Sequence, residues 1–406
     1  MFCVPISVAA VNVLTGVCLL FWLFSKLTKK STGWHSFNNQ ITIAISLFLL
    51  ICCIGIFYSS ARTADALHIV RKMSRLLLIP VFFDLYAGSK KWQSTVLQIF
   101  LLSNLLALAI SILLGGKMIE ISSLYKYSNI SPFKDTIFFS MLNSFFAFFC
   151  ITTFYHSQSY TNKLLHAGLV IGFSYCTLIT GIGRTGQVIF FCLLALFYLQ
   201  NFKFIQSIVY YIISVVIITA SLFVHDNNGF VHRNTEAYNQ FIEYKNYFIA
   251  SSASSASSIP PATSIPPATS IGLRLNFVND SLKVIKKHWI FGSGTGSFSG
   301  EYKKIFCYHI TRNPHNQYIF TLVELGLPGL FALLFIIYAL WKFSYSLPKL
   351  EKNLLQGVIA TIFIGSLANS WLNDFTSMYF LVTMAGVLMA ARSDLPTHIA
   401  HPDQIN

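Results

Sequence analysis

An imidazole stands at the mouth of a long, mainly apolar stretch. Asn313-Pro314-His315-Asn316-Gln317-Tyr318 runs directly into residues that remain largely hydrophobic as far as Trp341. Asn313 has the side chain of a helix N-cap. Pro314 suits the first helical position, where its missing N–H would be unpaired anyway. On this reading His315 and Asn316 occupy the first turn of a helix. The positive end of the helix dipole disfavours imidazolium there, so His315 is expected to stay neutral and able to accept a proton. That is the requirement for a general base; a capping or interfacial histidine is the plainer alternative. Glu324 lies nine residues on, half a turn away, and is not expected to orient His315. It shares a face with Gln317 and reads as a protonated or paired intramembrane acid.

Cations from distant parts of the chain could serve the same chemistry. Arg184 sits in Thr180-Gly181-Ile182-Gly183-Arg184-Thr185, and Arg274 follows Ser270-Ile271-Gly272-Leu273. Arg71, Lys72 and Arg75 fall inside an apolar segment, with Arg71 and Arg75 on one helical face at i, i+4. A charge at mid-membrane costs about 2.5–3.5 kcal/mol on insertion scales, so these three require anionic partners or water. Asp374 stands in a turn between the last two apolar segments. Guanidinium groups pair with phosphate through bidentate, charge-assisted hydrogen bonds. Fixed cations would stabilise the charge that builds on a departing diphosphate. An anionic lipid with a reactive bond fits this set.

The elements that must position these groups are membrane helices. Of the 406 residues, 54% are hydrophobic and 10% charged, and the mean hydropathy is +0.61; a soluble domain carries about 25% charged residues. Eleven segments are long and apolar enough to be read as spans: 5–25, 39–58, 66–86, 93–114, 135–155, 164–181, 187–200, 204–224, 317–341, 354–372 and 375–391. The expected fold is an all-α, polytopic integral membrane bundle of about 11 spans. It becomes 12 if a first helix is missing, which would also explain why Met1 otherwise falls outside. The expected organisation is an N-terminal bundle over 1–224, a large loop over 225–316, three C-terminal spans over 317–391, and a tail over 392–406. One set of short loops and the tail holds Lys26, Lys29, Lys30, Lys90, Lys91, Lys163, Lys203, Lys342, Lys349, Lys352 and Arg392. The opposite short loops hold only Arg62, Lys117, Lys126, Lys134 and Arg184. The positive-inside rule puts the first set in the cytoplasm and the long loop outside.

The net charge of +14 is spread over membrane loops. It is accounted for by orientation and contact with anionic membrane lipids, and no nucleic-acid partner is expected. The eight cysteines show neither a disulfide framework nor zinc spacing, and Cys307 is the only one in the long loop. No metal or cofactor is expected.

Within the long loop, residues 251–270 read SSASSASS followed by two copies of Ile-Pro-Pro-Ala-Thr-Ser, a composition that cannot bury enough apolar surface to order itself. Val278, Leu282, Ile285 and Trp289 then recur at spacings of four, three and four. This predicts an amphipathic helix near 272–290, on the membrane surface or against the bundle's outer mouth. Gly292-Ser293-Gly294-Thr295-Gly296 lacks the Gly-Lys-Ser/Thr of a P-loop and is expected to be a tight turn.

These motifs resemble the O-antigen ligase and O-antigen polymerase superfamily of bacterial inner-membrane glycan transferases. The likeness is sharpest over Ser270–Gly329. There Ser270-Ile271-Gly272-Leu273-Arg274, Gly292-Ser293-Gly294-Thr295-Gly296, His315-Asn316-Gln317-Tyr318 and Glu324-Leu325-Gly326-Leu327-Pro328-Gly329 occur in the family's order. The resemblance implies transfer of a glycan from undecaprenyl diphosphate to a lipid A-core sugar at the periplasmic face. It implies His315 as the residue that activates the acceptor hydroxyl, and Arg184 and Arg274 as the donor-diphosphate ligands. Arg71, Arg75, Asn316 and Asp374 are candidate supporting residues, Asp374 by a looser match. The Ser/Pro repeat departs from the family pattern.

An Arg-x10-Gly pattern associated with the polymerases is absent after Arg184 and Arg274, where Ala195 and Ile285 stand, which favours the ligase branch. A polymerase, a protein O-oligosaccharyltransferase and, in a different class, a polyprenyl-lipid flippase are the alternatives. The suspected site at one membrane face and the lack of repeated spans count against transport.

Overall fold

The computed structural model of the protein describes residues 1–28, 39–115, 131–180, 183–225, 230–254, 269–305 and 311–392. Most of the Ser/Pro repeat, Cys307 and the tail from residue 393 lie outside the described residues. The described chain is helical: α1 (Val8–Thr28), α2 (Gln40–Phe57), α3 (Thr63–Met73), α4 (Leu78–Tyr86), α5 (Lys90–Gly115), α6 (Thr136–His156), α7 (Tyr160–Tyr175), α8 (Arg184–Asn201) and α9 (Phe204–His225). There follow α10 (Phe230–Ser254), α11 (Ser270–His288), α12 (Phe298–Ile305), α13 (Gln317–Ser344), α14 (Lys349–Ala368) and α15 (Phe375–Met389).

Every apolar segment read from the sequence coincides with helix, but with two differences. Among the described residues, six helices (α1, α2, α5, α6, α9 and α13) are both long and apolar enough to cross a membrane. The third expected segment is not one rod: a single 3₁₀ turn, Ser74–Leu77, separates α3 from α4. That break falls within the Arg71–Arg75 stretch, so the i, i+4 face expected for the two arginines is not formed by continuous α-helix.

The core is aromatic. Phe145 and Phe146 of α6 make edge-on contacts with Phe380 of α15 (4.9 Å between centroids) and Phe100 of α5 (5.0 Å). Edge-to-face pairs of this kind contribute about 0.5–1.5 kcal/mol beyond their buried area. α6 and α15 are buried along most of their length, whereas α1 and α9 keep most of their apolar residues on the outside. A helix that is hydrophobic all round and exposed in the folded chain is a lipid-facing element. Asp84 of α4 ties α1 to the bundle, accepting from Lys26 Nζ (3.0 Å) and Trp22 Nε1 (2.8 Å).

The glycine-rich turn is a wedge that docks into a break in α13. Pro328 has no N–H, so the Glu324 carbonyl loses its helical donor; Leu327 N donates instead to the Ile290 carbonyl (3.1 Å), which releases Val323. The turn supplies the missing donors. Ser293 N bonds to Val323 O and Gly294 N to Glu324 O (both 2.9 Å), while Thr295 N reaches Gly55 O of α2 (3.0 Å). Its amides are therefore consumed by two helices rather than presented to a phosphate. Gly326 makes the break possible, with φ 61° and ψ −158°, a region essentially reserved for glycine. A Cβ there would stand 2.2 Å from the Ile290 carbonyl oxygen. Gly326→Ala is expected to cost more than about 1 kcal/mol, read as a lower thermal midpoint of the detergent-solubilised protein; an unchanged midpoint would contradict this account of the kink.

The amphipathic helix forms as α11, but with its packed face turned from the expected stripe. Phe277, Ser281, Val284 and Ile285 are buried, together with Asp280, while Leu282 and Trp289 stay exposed. Phe277, Val284 and Ile285 join Phe298, Tyr302, Phe320 and Val323 in a satellite core that fixes α11 and α12 on the mouth of α13. α10 was not expected from the sequence.

Candidate functional site

His315 does not lie in a helical turn. Asn316 is the N-cap of α13, its Oδ1 accepting from Tyr318 N and Ile319 N (both 3.0 Å). Asn313 instead builds a side-chain turn, accepting from His315 N (2.8 Å) and Ser370 Oγ (2.6 Å). His315 is held at φ 53°, the only non-glycine residue with positive φ among those described. Such strain persists only where surrounding contacts over-determine it.

The imidazole lies against the ring of Phe277 (centroids 6.0 Å apart, 21° between planes), and its Nδ1 is 3.3 Å from Asn369 Oδ1. Asn369 Oδ1 also accepts from the Ser370 amide (2.9 Å) and from Asn313 Nδ2 (3.3 Å), which assigns it as the amide oxygen. An amide oxygen only accepts, so Nδ1 carries the proton and Nε2 keeps its lone pair. Burial holds the imidazole below the usual histidine range, with the nearby Arg274 charge acting in the same direction and the Asn369 bond opposing both. The neutrality expected from the helix dipole thus has a different main cause.

Arg184 and Arg274 line one open cavity of about 570 Å³. Arg184 is the first residue of α8, where Gly183 lets the chain start hard against α6; a Cβ at Gly183 would stand 2.1 Å from Ser140 Oγ. Arg184 Nη2 pairs with Glu236 Oε2 at 3.1 Å. Arg274 is half-buried on α11, and burial, followed by the charge of Arg184, pushes its pKa down. α10 adds Arg233, Glu236 and Gln240 to the same wall. Three guanidinium groups and one carboxylate therefore share the cavity, a balance suited to an anionic occupant. Leu367 and Ala368, the end of α14, close its far side. Asn316 Nδ2 donates to the Leu367 carbonyl (3.0 Å), and Asn369 follows immediately, so the wall of the arginine cavity continues into the partner of His315.

The remaining sequence candidates lie apart from this cavity. Asp374 caps α15, accepting from Thr376 N (2.7 Å) and Ser377 N (3.4 Å); burial pushes its carboxyl up against those bonds. Arg75 rests over the rings of Phe375 (5.1 Å) and Tyr379 (5.7 Å), and Arg71 is exposed. Glu324 is buried and accepts from Phe298 N (3.4 Å), fastening the glycine turn rather than meeting His315. Sequence reasoning missed Arg233, Glu236, Gln240, Phe277 and Asn369. The spacing of 233, 236 and 240 on one helical face was a usable signal for the first three; nothing local marked Asn369.

Asn369→Asp would place a carboxylate on Nδ1 and raise the imidazole pKa. If Nε2 must be unprotonated for turnover, activity falls as pH drops through that value. The acidic limb of kcat/KM is therefore expected to move to higher pH in this variant, and an unmoved limb would separate Asn369 from His315.

No curated protein matches the chain. Residues 167–334, which contain Arg184, Arg274 and His315, match the family model described as O-antigen ligase, and this match supports the likeness to the O-antigen ligase and polymerase superfamily.

Proposed function

We propose that the protein transfers a glycan from undecaprenyl diphosphate to a sugar hydroxyl of a lipid A-core acceptor, at the periplasmic face of the bacterial inner membrane. One observation carries the reading: two arginines from separate helices line one cavity, and beside its wall stands a histidine whose Nδ1 faces Asn369 Oδ1, which leaves Nε2 to accept. In the proposed step the acceptor hydroxyl gives its proton to His315 Nε2. The acceptor oxygen attacks the anomeric carbon, and the bond from that carbon to the diphosphate oxygen breaks. The electron pair leaves with undecaprenyl diphosphate, whose growing charge is stabilised by Arg184 and Arg274. The donor's phosphoester bond supplies the driving force, so no nucleotide is needed.

The test is reconstitution of the purified protein in vesicles with undecaprenyl diphosphate-linked glycan and lipid A-core. A joined glycolipid together with released undecaprenyl diphosphate is the expected product. A lengthened donor glycan would identify a polymerase, glycosylated Ser or Thr a protein glycosyltransferase, and movement of intact donor between leaflets a transporter.

A further inference from the structure

A second group of cations stands at the other end of the turn that carries Asn369. Lys134 precedes α6 and is only 9% exposed, and its amine is influenced by Asp374 and Asp135. Lys72 on α3 is in electrostatic reach of Arg75 and again of Asp374. Arg75 is pinned from behind by Phe375 and Tyr379, which holds its guanidinium in place without neutralising it.

None of these three cations belongs to an ion pair among the described residues, where the pairs are those of Lys26, Arg62, Arg184, Lys283 and Lys304. The carboxylates in reach are already engaged: Asp135 Oδ1 accepts from Ile137 N (2.9 Å) and Phe138 N (3.0 Å), Asp374 caps α15, and Glu324, which also reaches Lys72 electrostatically, accepts from Phe298 N (3.4 Å). Asn373, beside Asp374, has both side-chain polar atoms buried with no partner. A buried amide left unsatisfied and a buried lysine left unpaired are each costly, so this arrangement is unusual unless a ligand completes it. Asn373 N bonds back to Ser370 O (3.0 Å), so a compact turn joins this cluster to the residue that holds His315.

We propose that Lys72, Arg75, Lys134 and Asn373 form a second anion site, which binds a phosphate ester on the acceptor glycolipid while the arginine cavity holds the donor. This rests on the transferase reading above and deepens it. Donor and acceptor phosphates would then bind at separate stations, with the base between them. The lysines supply point charges, Arg75 a planar fork, and the Asn373 amide a donor for phosphate oxygen.

The experiment uses the full-length protein in phosphatidylcholine nanodiscs with two acceptors: lipid A-core with its phosphates, and the same material dephosphorylated. The wild type is expected to bind the phosphorylated acceptor at least about 10-fold more tightly. Lys134→Gln and Arg75→Gln should each remove most of that preference and raise the acceptor KM, while leaving the donor KM unchanged. Lys134→Arg, which keeps the charge, should retain the preference. Equal binding of the two acceptors by the wild type would overturn the proposal, as would a Lys134→Gln loss that is the same for both. Inorganic phosphate or phosphatidylglycerol displacing the phosphorylated acceptor at equal concentration would also overturn it, showing a general anion site instead. Because acceptor binding is read without turnover, a failed transfer assay with intact phosphate preference would count against the transferase reading alone. An Arg274→Gln variant should show the converse pattern, a raised donor KM with acceptor preference kept.

Discussion

His315→Ala is expected to reduce glycan transfer by about 10²–10⁴-fold, the range spanned by a positioned general base. The loss should fall on kcat, because in the proposed step the imidazole meets the reacting hydroxyl rather than the donor's phosphates. Among the described residues, neither glutamate near the site is placed to substitute for it. Glu324 is buried under the glycine turn and engaged with Phe298 N, and Glu236 is paired with Arg184. The measurement is initial rate in vesicles, alongside the amount of variant protein recovered in the membrane. Correctly inserted His315→Ala that transfers glycan at the wild-type rate would remove His315 from the chemistry.

Arg274→Ala is expected to cost about 10²–10³-fold, the range for deleting one fixed donor that faces developing charge. Arg274→Lys should recover part of this, since an ammonium supplies charge but not a two-pronged hydrogen bond. A second effect distinguishes Arg274 from a residue that merely shapes the cavity. Its charge helps hold the His315 imidazole below the usual histidine range. In the alanine variant that contribution is lost, so the imidazole pKa rises and the acidic limb of the pH–rate profile moves to higher pH. Lower activity with an unmoved limb would mean that Arg274 acts without reaching the base.

The structure also changes how the like charges are understood. Arg184 sits close enough to Arg274 to disfavour the protonated form of Arg274, and among the described residues the one carboxylate lining their cavity, Glu236, pairs with Arg184. A fold that places such a pair around an open cavity of about 570 Å³ is arranged to be neutralised by something that enters it. Glu236 belongs to α10, a helix whose mixed polar face carries no membrane-span signal. The wall of the proposed anion site is therefore built partly from the least conspicuous element of the chain.

What the amino-acid sequence determined by itself was local. Apolar runs of sufficient length must become helices, because backbone groups in lipid have no other partners, and the described residues of the eleven runs are mainly helical, with the third broken by a 3₁₀ turn. The amphipathic pattern located α11 to within two residues at either end, and two of the residues that the motifs singled out, Arg184 and Arg274, come to line one cavity. Three matters were decided only by tertiary contacts. The cap of α13 moved from Asn313 to Asn316 because Asn313 gained partners on the 369–370 turn, and that contact set the backbone of His315. The buried face of α11 rotated from the expected stripe because α13 and α12 offered Phe320, Val323 and Phe298 on one side, which leaves Leu282 and Trp289 exposed on the other. The hydrogen-bond acceptor for the histidine's Nδ1–H came from Asn369, an uncharged residue in a short turn with no periodicity around it. Periodicity and capping act over one or two helical turns and are written into neighbouring residues. The meeting of α8, α11, α13 and α14 at one mouth depends on how whole helices pack, and no local spacing encodes that.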